Sequence, residues 1–152
     1  MPKLDLSSIP EKGGTGYPAE FAAIVSGRFR KRLGNAGGLT QFGVNICRLE
    51  PGSGSSQRHW HHNEDEFVYM LSGEAVLIEN EGETIMRPGD AATFKAGVAN
   101  GHTLINRGTV DAVFLEVGTR APTEIVEYPD VDMRAVNDGN GLIFTRKDGS
   151  KF

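Results

Sequence analysis

Short stretches of alternating apolar and polar residues, separated by turn-forming residues, run through the middle of the chain. The alternation predicts eight strands, at residues 42–49, 57–62, 66–71, 75–80, 83–87, 91–95, 102–106 and 111–117. Glycine and proline mark the breaks between them, as at Pro51-Gly52, Ser72-Gly73 and Pro88-Gly89. Because no long helical period interrupts this series, the pattern predicts an all-β protein, either an antiparallel sandwich or a barrel.

The two ends of the chain carry a weaker pattern. Residues 1–40 are predicted as an irregular arm with a candidate edge strand, or a short helix, near Phe21–Val25. Residues 41–118 hold the predicted strands and form one barrel domain. Residues 119–152 are predicted as a polar tail, in which Leu142-Ile143-Phe144-Thr145 is a candidate edge strand.

Composition narrows the classes of partner. The chain has 152 residues, which suits one domain, and a net charge of −4, which gives no general attraction for nucleic acid or an anionic membrane. Neither is therefore a predicted partner. The sequence starts without the apolar segment of a signal peptide and contains no apolar run of membrane-spanning length, so we expect a cytoplasmic protein. The single cysteine, Cys47, lies in a predicted strand and is expected to be a packed thiol.

Three of the four histidines, His59, His61 and His62, lie within four consecutive positions. Because side chains alternate faces along a strand, His59 and His61 are expected on one side, with Trp60 and His62 on the other. Two imidazoles on one face can share a metal ion. Glu66 begins the next predicted strand, where its carboxylate can reach the same point.

His102, at the start of a later strand, is the fourth candidate ligand. Three imidazoles and one carboxylate make a mixed nitrogen–oxygen site, which suits iron, manganese, nickel, cobalt or zinc. A six-coordinate ion held in this way keeps open positions for water or substrate. We therefore predict one divalent metal ion, bound by His59, His61, Glu66 and His102.

These spacings resemble the two signature motifs of the cupin superfamily. The first motif is matched by Gly52 or Gly54, His59-Trp60-His61, Glu66 and Gly73, and the second by Gly89, Gly97, His102 and Asn106. The chain departs from the second motif in two ways. Lys95 stands where the motif has proline, and the loop between Gly97 and His102 is longer by two residues.

The resemblance implies a double-sheet jelly-roll barrel, or double-stranded β-helix, with the metal inside it on the four predicted ligands. It implies that Asn106 is a structural hydrogen-bonding residue rather than a ligand. It also implies a homodimer, because small single-domain cupins are commonly dimers. The outward apolar set available for such a contact is Trp60, Phe67, Tyr69 and Leu71.

Two further residues are candidates for a catalytic role. An inward Glu116 would be a buried carboxylate and a candidate general base, whereas the alternative is an exposed carboxylate or one paired with an arginine. Lys95, near the loop that carries His102, either holds an anionic substrate group or faces solvent.

Gln57 shares the strand face of His59 and is a candidate pocket residue. The basic run Arg28–Arg32 is predicted as a solvated patch, with an anion site as the alternative.

Three functions fit these residues, because a cupin fold does not by itself fix an activity. The first is a metal-dependent enzyme acting on a small polar or anionic molecule, similar to cupin sugar-phosphate isomerases. The second is an iron- or manganese-dependent dioxygenase or lyase, and the third is a non-catalytic module that binds a small molecule. Lys95 and the basic run favour an anionic ligand, and so the first of these.

Overall fold

The computed structural model describes residues 3–152, over which the chain forms thirteen strands and three short helices. The helices are two 3₁₀ turns, Ala19–Phe21 and Ala23–Val25, and α1, Leu33–Ala36. In chain order the strands are β1 (Glu11–Lys12), β2 (Arg28–Arg32), β3 (Phe42–Leu49), β4 (Trp60–His61), β5 (Glu66–Ser72), β6 (Ala75–Glu79), β7 (Gly82–Met86), β8 (Ala91–Phe94), β9 (Thr103–Ile105), β10 (Ala112–Thr119), β11 (Glu124–Tyr128), β12 (Met133–Asn137) and β13 (Leu142–Thr145).

Within residues 3–152 these strands make three antiparallel sheets. The largest has the order β1-β2-β3-β10-β5-β8, and the other two are β7-β6-β9 and β13-β12-β11-β4. Strands far apart in the sequence are neighbours, since β10 lies between β3 and β5. This connectivity places a barrel interior between the sheets and confirms the predicted all-β jelly roll.

Seven of the eight predicted strands are present, β3 with its predicted bounds and the others within two residues. The segment predicted as a strand at 57–62 differs, because only Trp60 and His61 form regular pairing. Before β4 the chain follows β9 through single bridges, Gly54 to Ile105 and His59 to His102. In place of a regular ladder, the buried hydroxyl groups of Ser55 and Ser56 contact that of Thr103 in β9, and Thr103 donates to the carbonyl oxygen of Ser56.

The interior face of the largest sheet carries side chains in rows that run across β3, β10 and β5. Three successive rows are Cys47–Phe114–Met70, Asn45–Glu116–Val68 and Gly43–Gly118–Glu66. The first row is fully buried, and exposure increases toward the third. The third row therefore lies near an open end of the barrel, where a ligand can enter.

Two buried residues of the core behave as predicted. Cys47 is fully buried, and burial raises the pKa of its thiol to about 12, so it is a packed and unreactive cysteine. Asn106 is also fully buried. Its amide donates to the carbonyl oxygens of Leu49 and Val110, at 2.9 and 2.8 Å, and thereby joins two loops at the closed end of the barrel.

The N-terminal segment is more regular than predicted. Residues near Phe21–Val25 form the two 3₁₀ turns, and Arg28–Arg32 form β2, which pairs along β3. The prediction of a solvated basic patch is wrong for two of these residues, because Arg28 is buried and Arg30 is partly buried. Alternate residues of a strand share a face, so β2 turns all three of its arginines, Arg28, Arg30 and Arg32, toward the barrel.

The C-terminal segment is also not the polar tail that the sequence predicts. Leu142–Thr145 is an edge strand, as expected, but β11 and β12 precede it, and β11 pairs with β4. A second core forms around these strands from Val126, Tyr128, Met133 and Ala135, with Tyr17 and Phe144 packed against it. Glu127 and Arg134 alternate with these apolar residues, a strand pattern that the prediction of a polar tail overlooked.

Part of the predicted outward apolar set is exposed. Tyr69 and Leu71 keep 39% and 45% of their surface, whereas Trp60 stacks on the ring of His62, with ring centroids 4.5 Å apart. The homodimer stays a prediction. No helix within residues 3–152 is long and apolar enough to cross a membrane.

Gly73, at the turn after β5, provides a test of the fold. Its φ is +68°, and an added Cβ would lie 2.2 Å from the carbonyl oxygen of Asp111. Gly73→Ala is therefore expected to lower the free energy of unfolding by about 3 kcal/mol or more in urea titrations. The matched control is Gly52→Ala, at φ +85° in open space, which should cost only about 1 kcal/mol. Equal losses would show that backbone conformation alone, and not the contact with Asp111, requires glycine.

Candidate metal centre

The four predicted ligands come from three separate parts of the chain. His59 and His61 lie at β4, Glu66 begins β5, and His102 directly precedes β9. A backbone pair brings the first and last together, because His59 N–H donates to His102 O at 3.1 Å and His102 N–H donates to His59 O at 2.8 Å. This pairing sets two imidazoles side by side, with ring centroids 4.7 Å apart.

Three imidazoles converge on one carboxylate oxygen, Glu66 Oε2. It lies 2.8 Å from His102 Nε2, 3.4 Å from His61 Nε2 and 3.6 Å from His59 Nε2. The donor atoms of His59, His61 and Glu66 all lie within 4.8 Å of one another. The structure thus brings all four predicted residues together in a nitrogen–oxygen cluster, and their role as ligands remains a prediction.

The cluster fits a bound divalent cation. Glu66 Oε2 is buried and has no hydrogen-bond partner among the residues that the structure describes, although it faces three nitrogens. Buried oxygen atoms in proteins are nearly always satisfied, so an orphaned one needs an explanation. A cation between this oxygen and the three Nε2 atoms would satisfy all of them, with a donor set typical of first-row transition metals and zinc.

The surrounding residues orient the imidazoles. His59 Nδ1 lies 2.9 Å from the carbonyl oxygen of Gln57, an acceptor that leaves the lone pair on Nε2 facing the cluster. His61 Nδ1 faces two carboxylates, Glu64 at 3.7 Å and Glu124 at 3.9 Å. The side chain of Gln57 donates to Phe21 O instead of entering the cavity, so its prediction as a pocket residue is wrong.

The protonation state of Glu66 suits metal binding. Burial by itself favours the neutral carboxyl group, but the three imidazoles hold the pKa of Glu66 well below its ordinary value. Burial also disfavours the imidazolium of His61, yet Glu66 and the nearby Glu124 and Glu64 raise its pKa. For His102, burial outweighs the attraction of Glu66 and lowers the pKa. Glu66 is therefore an anion at neutral pH, the form that coordinates a cation.

A cavity of about 610 Å³ opens beside the cluster, and His59, Glu66 and His102 form part of its wall. Four arginines also line it, Arg28, Arg30, Arg32 and Arg120, and about half of the wall is apolar. Hydroxyl groups also face it, from Tyr17, Ser55, Ser56 and Tyr128. A cavity with this lining suits a small, polar and negatively charged molecule that can reach the metal site.

Glu116 combines both alternatives that the sequence left open. It faces inward and lines the cavity, and it is also paired with an arginine. Arg30 Nε donates to Glu116 Oε1 at 2.5 Å and Arg30 Nη2 donates to Oε2 at 3.2 Å, while Asn45 donates to Oε1 at 2.8 Å. These bonds fix the orientation of the carboxylate in the row next to Glu66.

Lys95 lies elsewhere. A second cavity, of about 180 Å³, contains Lys95 together with His61 and Glu64. Glu66, Phe94 and His102 line both cavities and so separate them. Lys95 is exposed and lines only the small cavity, so any contact of its ammonium group with a ligand would be made there.

We predicted no role for two tyrosines near the cluster. The ring of Tyr128 lies 5.8 Å from those of His59 and Tyr17, measured between centroids. Burial raises the pKa of both tyrosines, which keeps their hydroxyl groups protonated at neutral pH. The alternation along Glu124–Tyr128 was the signal for a strand that points Tyr128 inward. No comparable signal marks Tyr17.

Replacing one member of the cluster provides a test of the metal site. His102→Ala is expected to lose the divalent metal that the wild-type protein carries at about one equivalent per chain, because it removes one of four donors. His62→Ala is the matched control, since His62 Nε2 faces Glu127 at 3.4 Å, outside the cluster. Elemental analysis of the purified proteins measures the outcome. Metal retained in His102→Ala, or lost in His62→Ala, would contradict the assignment.

Comparisons with known proteins agree with this architecture. The family model for the cupin domain matches residues 45–118, which include all four predicted ligands. The chain is similar to a sugar phosphate isomerase of the cupin superfamily from Silicibacter pomeroyi, with 53% identity and a TM-score of 0.96 over 99% of this chain and 96% of that one.

A proposed sugar phosphate isomerase from Acidithiobacillus ferrooxidans is also similar, with 32% identity and a TM-score of 0.75 over 82% of this chain and 80% of that one. The polyketide cyclase RemF from Streptomyces resistomycificus shares the fold at 16% identity and a TM-score of 0.64, over 78% of this chain and 79% of that one. A search of curated proteins gave no match. The family match and the Silicibacter relative establish that the chain belongs to the cupin superfamily.

Proposed function

We propose that this cupin is a metal-dependent isomerase that acts on a small phosphorylated sugar. The observation that carries the proposal is the shared wall of one cavity, which contains three members of the histidine–glutamate cluster and a group of arginines. The names of two relatives, both sugar phosphate isomerases, support the same substrate class. An aldose–ketose isomerisation also needs no oxidant or second substrate.

The chain's own residues supply three parts of such a reaction. His59, His61, Glu66 and His102 would hold the metal ion, which supplies a Lewis acid to polarise the substrate carbonyl. Glu116 is the candidate base, which takes a proton from the carbon beside the carbonyl and returns it to the neighbouring carbon. Tyr128, protonated and beside His59 in the cavity wall, is the candidate donor of a hydrogen bond to the substrate oxygen as its charge develops.

Arg30 has a positioning role in this scheme. It holds both carboxylate oxygens of Glu116, and Asn45 holds one of them, so the carboxylate cannot rotate away from the cavity. A fixed base avoids the entropy cost of being oriented during the reaction. No contact in residues 3–152 specifically favours the dioxygenase or lyase alternative, and non-catalytic binding is one outcome of the test below.

The test is turnover of aldose phosphates by the metal-loaded protein, with ketose phosphate detected by NMR and oxygen consumption recorded in parallel. Glu116→Gln is expected to lower kcat by about a hundredfold or more, the typical contribution of a general base, while metal content stays that of the wild type. Lys147→Gln, whose exposed side chain lies near Pro129, is the control and should not change kcat.

Two results would contradict the proposal. Binding of sugar phosphates without any ketose product, with several metals tried, would favour the binding module. Oxygen uptake that depends on His102 and is stimulated by an organic acid would favour the dioxygenase reading.

A further inference from the structure

The row that contains Glu66 continues to Phe94 on β8, but across β10 and β3 it has no other side chains on the barrel face. Its neighbours across β10 and β3 are Gly118 and Gly43, and both glycines line the large cavity. Neither glycine has a positive φ, so the backbone does not require glycine at these positions. A Cβ on Gly118 would make ordinary contacts, 3.6 Å from Asp65 O and 3.7 Å from Glu66 Cγ, so glycine leaves the volume of one methyl group unfilled here.

This glycine floor, Gly118 and Gly43, leads from the metal site to an arginine. From β5 to β3 the row crosses two strand spacings, or about 10 Å. At its far end Arg120 lies over Gly43, with Nε and Nη2 3.7 and 3.8 Å from the point where a Cβ would be. A flat floor of this length therefore joins a carboxylate that fits a metal to a guanidinium group.

Arg120 carries a positive charge that no carboxylate neutralises within residues 3–152. Its Nη1 donates to the carbonyl oxygen of Leu39 at 2.6 Å, and its Nη2 donates to the amide oxygen of Asn35. Both acceptors are neutral. They hold the guanidinium group in place and leave its charge available to an anion.

Arg32 adds a second charge at the same end of the cavity. It pairs with Asn45 in the β2–β3 register and is exposed, with no hydrogen-bond or ion-pair partner for its side chain among the described residues. The other two arginines of the cavity are already engaged. Arg28 is buried and donates to the carbonyl oxygens of Ser55 and Gly14, and Arg30 is bound to Glu116.

We propose that Arg32 and Arg120, with the amide of Asn35, form a phosphate-binding subsite for an open-chain pentose or hexose phosphate. The sugar would lie along the glycine floor, with its carbonyl end at the metal site and its phosphate at the arginines. Guanidinium groups suit this end because they bind phosphate oxygens in a bidentate manner. The substrate class rests on the proposed function, whereas the two arginines and the floor are assigned from the structure.

The test is calorimetric titration of the metal-loaded protein with ribose 5-phosphate, glucose 6-phosphate and ribose. The wild type is expected to bind at least one of the two phosphates and to bind ribose far more weakly. Arg32→Gln and Arg120→Gln should each weaken phosphate binding about tenfold, the effect of one charged hydrogen bond, with metal content unchanged. Arg87→Gln is the matched control, because Arg87 is exposed and paired with Glu74 outside the cavity.

Two further variants separate binding from folding. Arg120→Lys keeps the charge but loses the bidentate geometry, so it should fall between the wild type and Arg120→Gln. Gly118→Ala should weaken binding of the sugar phosphate but not of inorganic phosphate, because it fills the floor and leaves the arginines in place. Thermal unfolding of each variant checks that the barrel is intact.

The inference is overturned if neither phosphate binds the wild type, or if both glutamine variants bind it as tightly as Arg87→Gln. Its failure is distinct from failure of the proposed function. Arginine-dependent binding without any isomerisation would leave the subsite standing and remove the isomerase. Isomerisation with a KM that does not depend on Arg32 and Arg120 would support the isomerase and remove the phosphate subsite.

Discussion

The site depends on one buried anion. Glu66 Oε2 lies inside the barrel against three imidazole nitrogens, and within residues 3–152 no hydrogen bond satisfies it. A buried carboxylate is unfavourable unless a positive charge or several donors compensate it. The other three members of the cluster meet this requirement. His59 and His61 at β4, and His102 just before β9, bring imidazole nitrogen atoms to the same oxygen.

The sequence predicts His59, His61 and Glu66 from a local signal, whereas His102, far from them in the chain, is supported by the resemblance to the second cupin motif. The two-residue period of a strand places His59 and His61 on one side, and the adjacent turn returns the chain at Glu66. The barrel strands were predictable for the same reason, since turn residues separate them clearly. The cavity wall was not. Much of it comes from segments outside the predicted barrel domain: Arg28, Arg30 and Arg32 from β2, Tyr128 from β11, and Leu142 and Phe144 from β13.

Distance along the chain is also why the roles of Glu116 and Arg30 were only half predicted. The alternation of side chains along a strand places Glu116 on the inner face. Arg30, however, lies 86 positions before Glu116 in the sequence, and only the pairing of both strands with β3 brings these two residues together. Tyr128 was missed for a similar reason, because it reaches His59 only after β11 pairs with β4. Long-range pairing of this kind has no local signature in a single sequence.

The backbone pair between His59 and His102 links metal binding to the stability of the whole domain. These residues belong to segments that meet only when the barrel is closed, so the unfolded chain holds no preformed site. A ligand that binds only the native state raises the free energy of unfolding with the logarithm of its concentration. The proposed metal would therefore raise the thermal midpoint of this cupin as its free concentration increases, and a chelator would lower that midpoint.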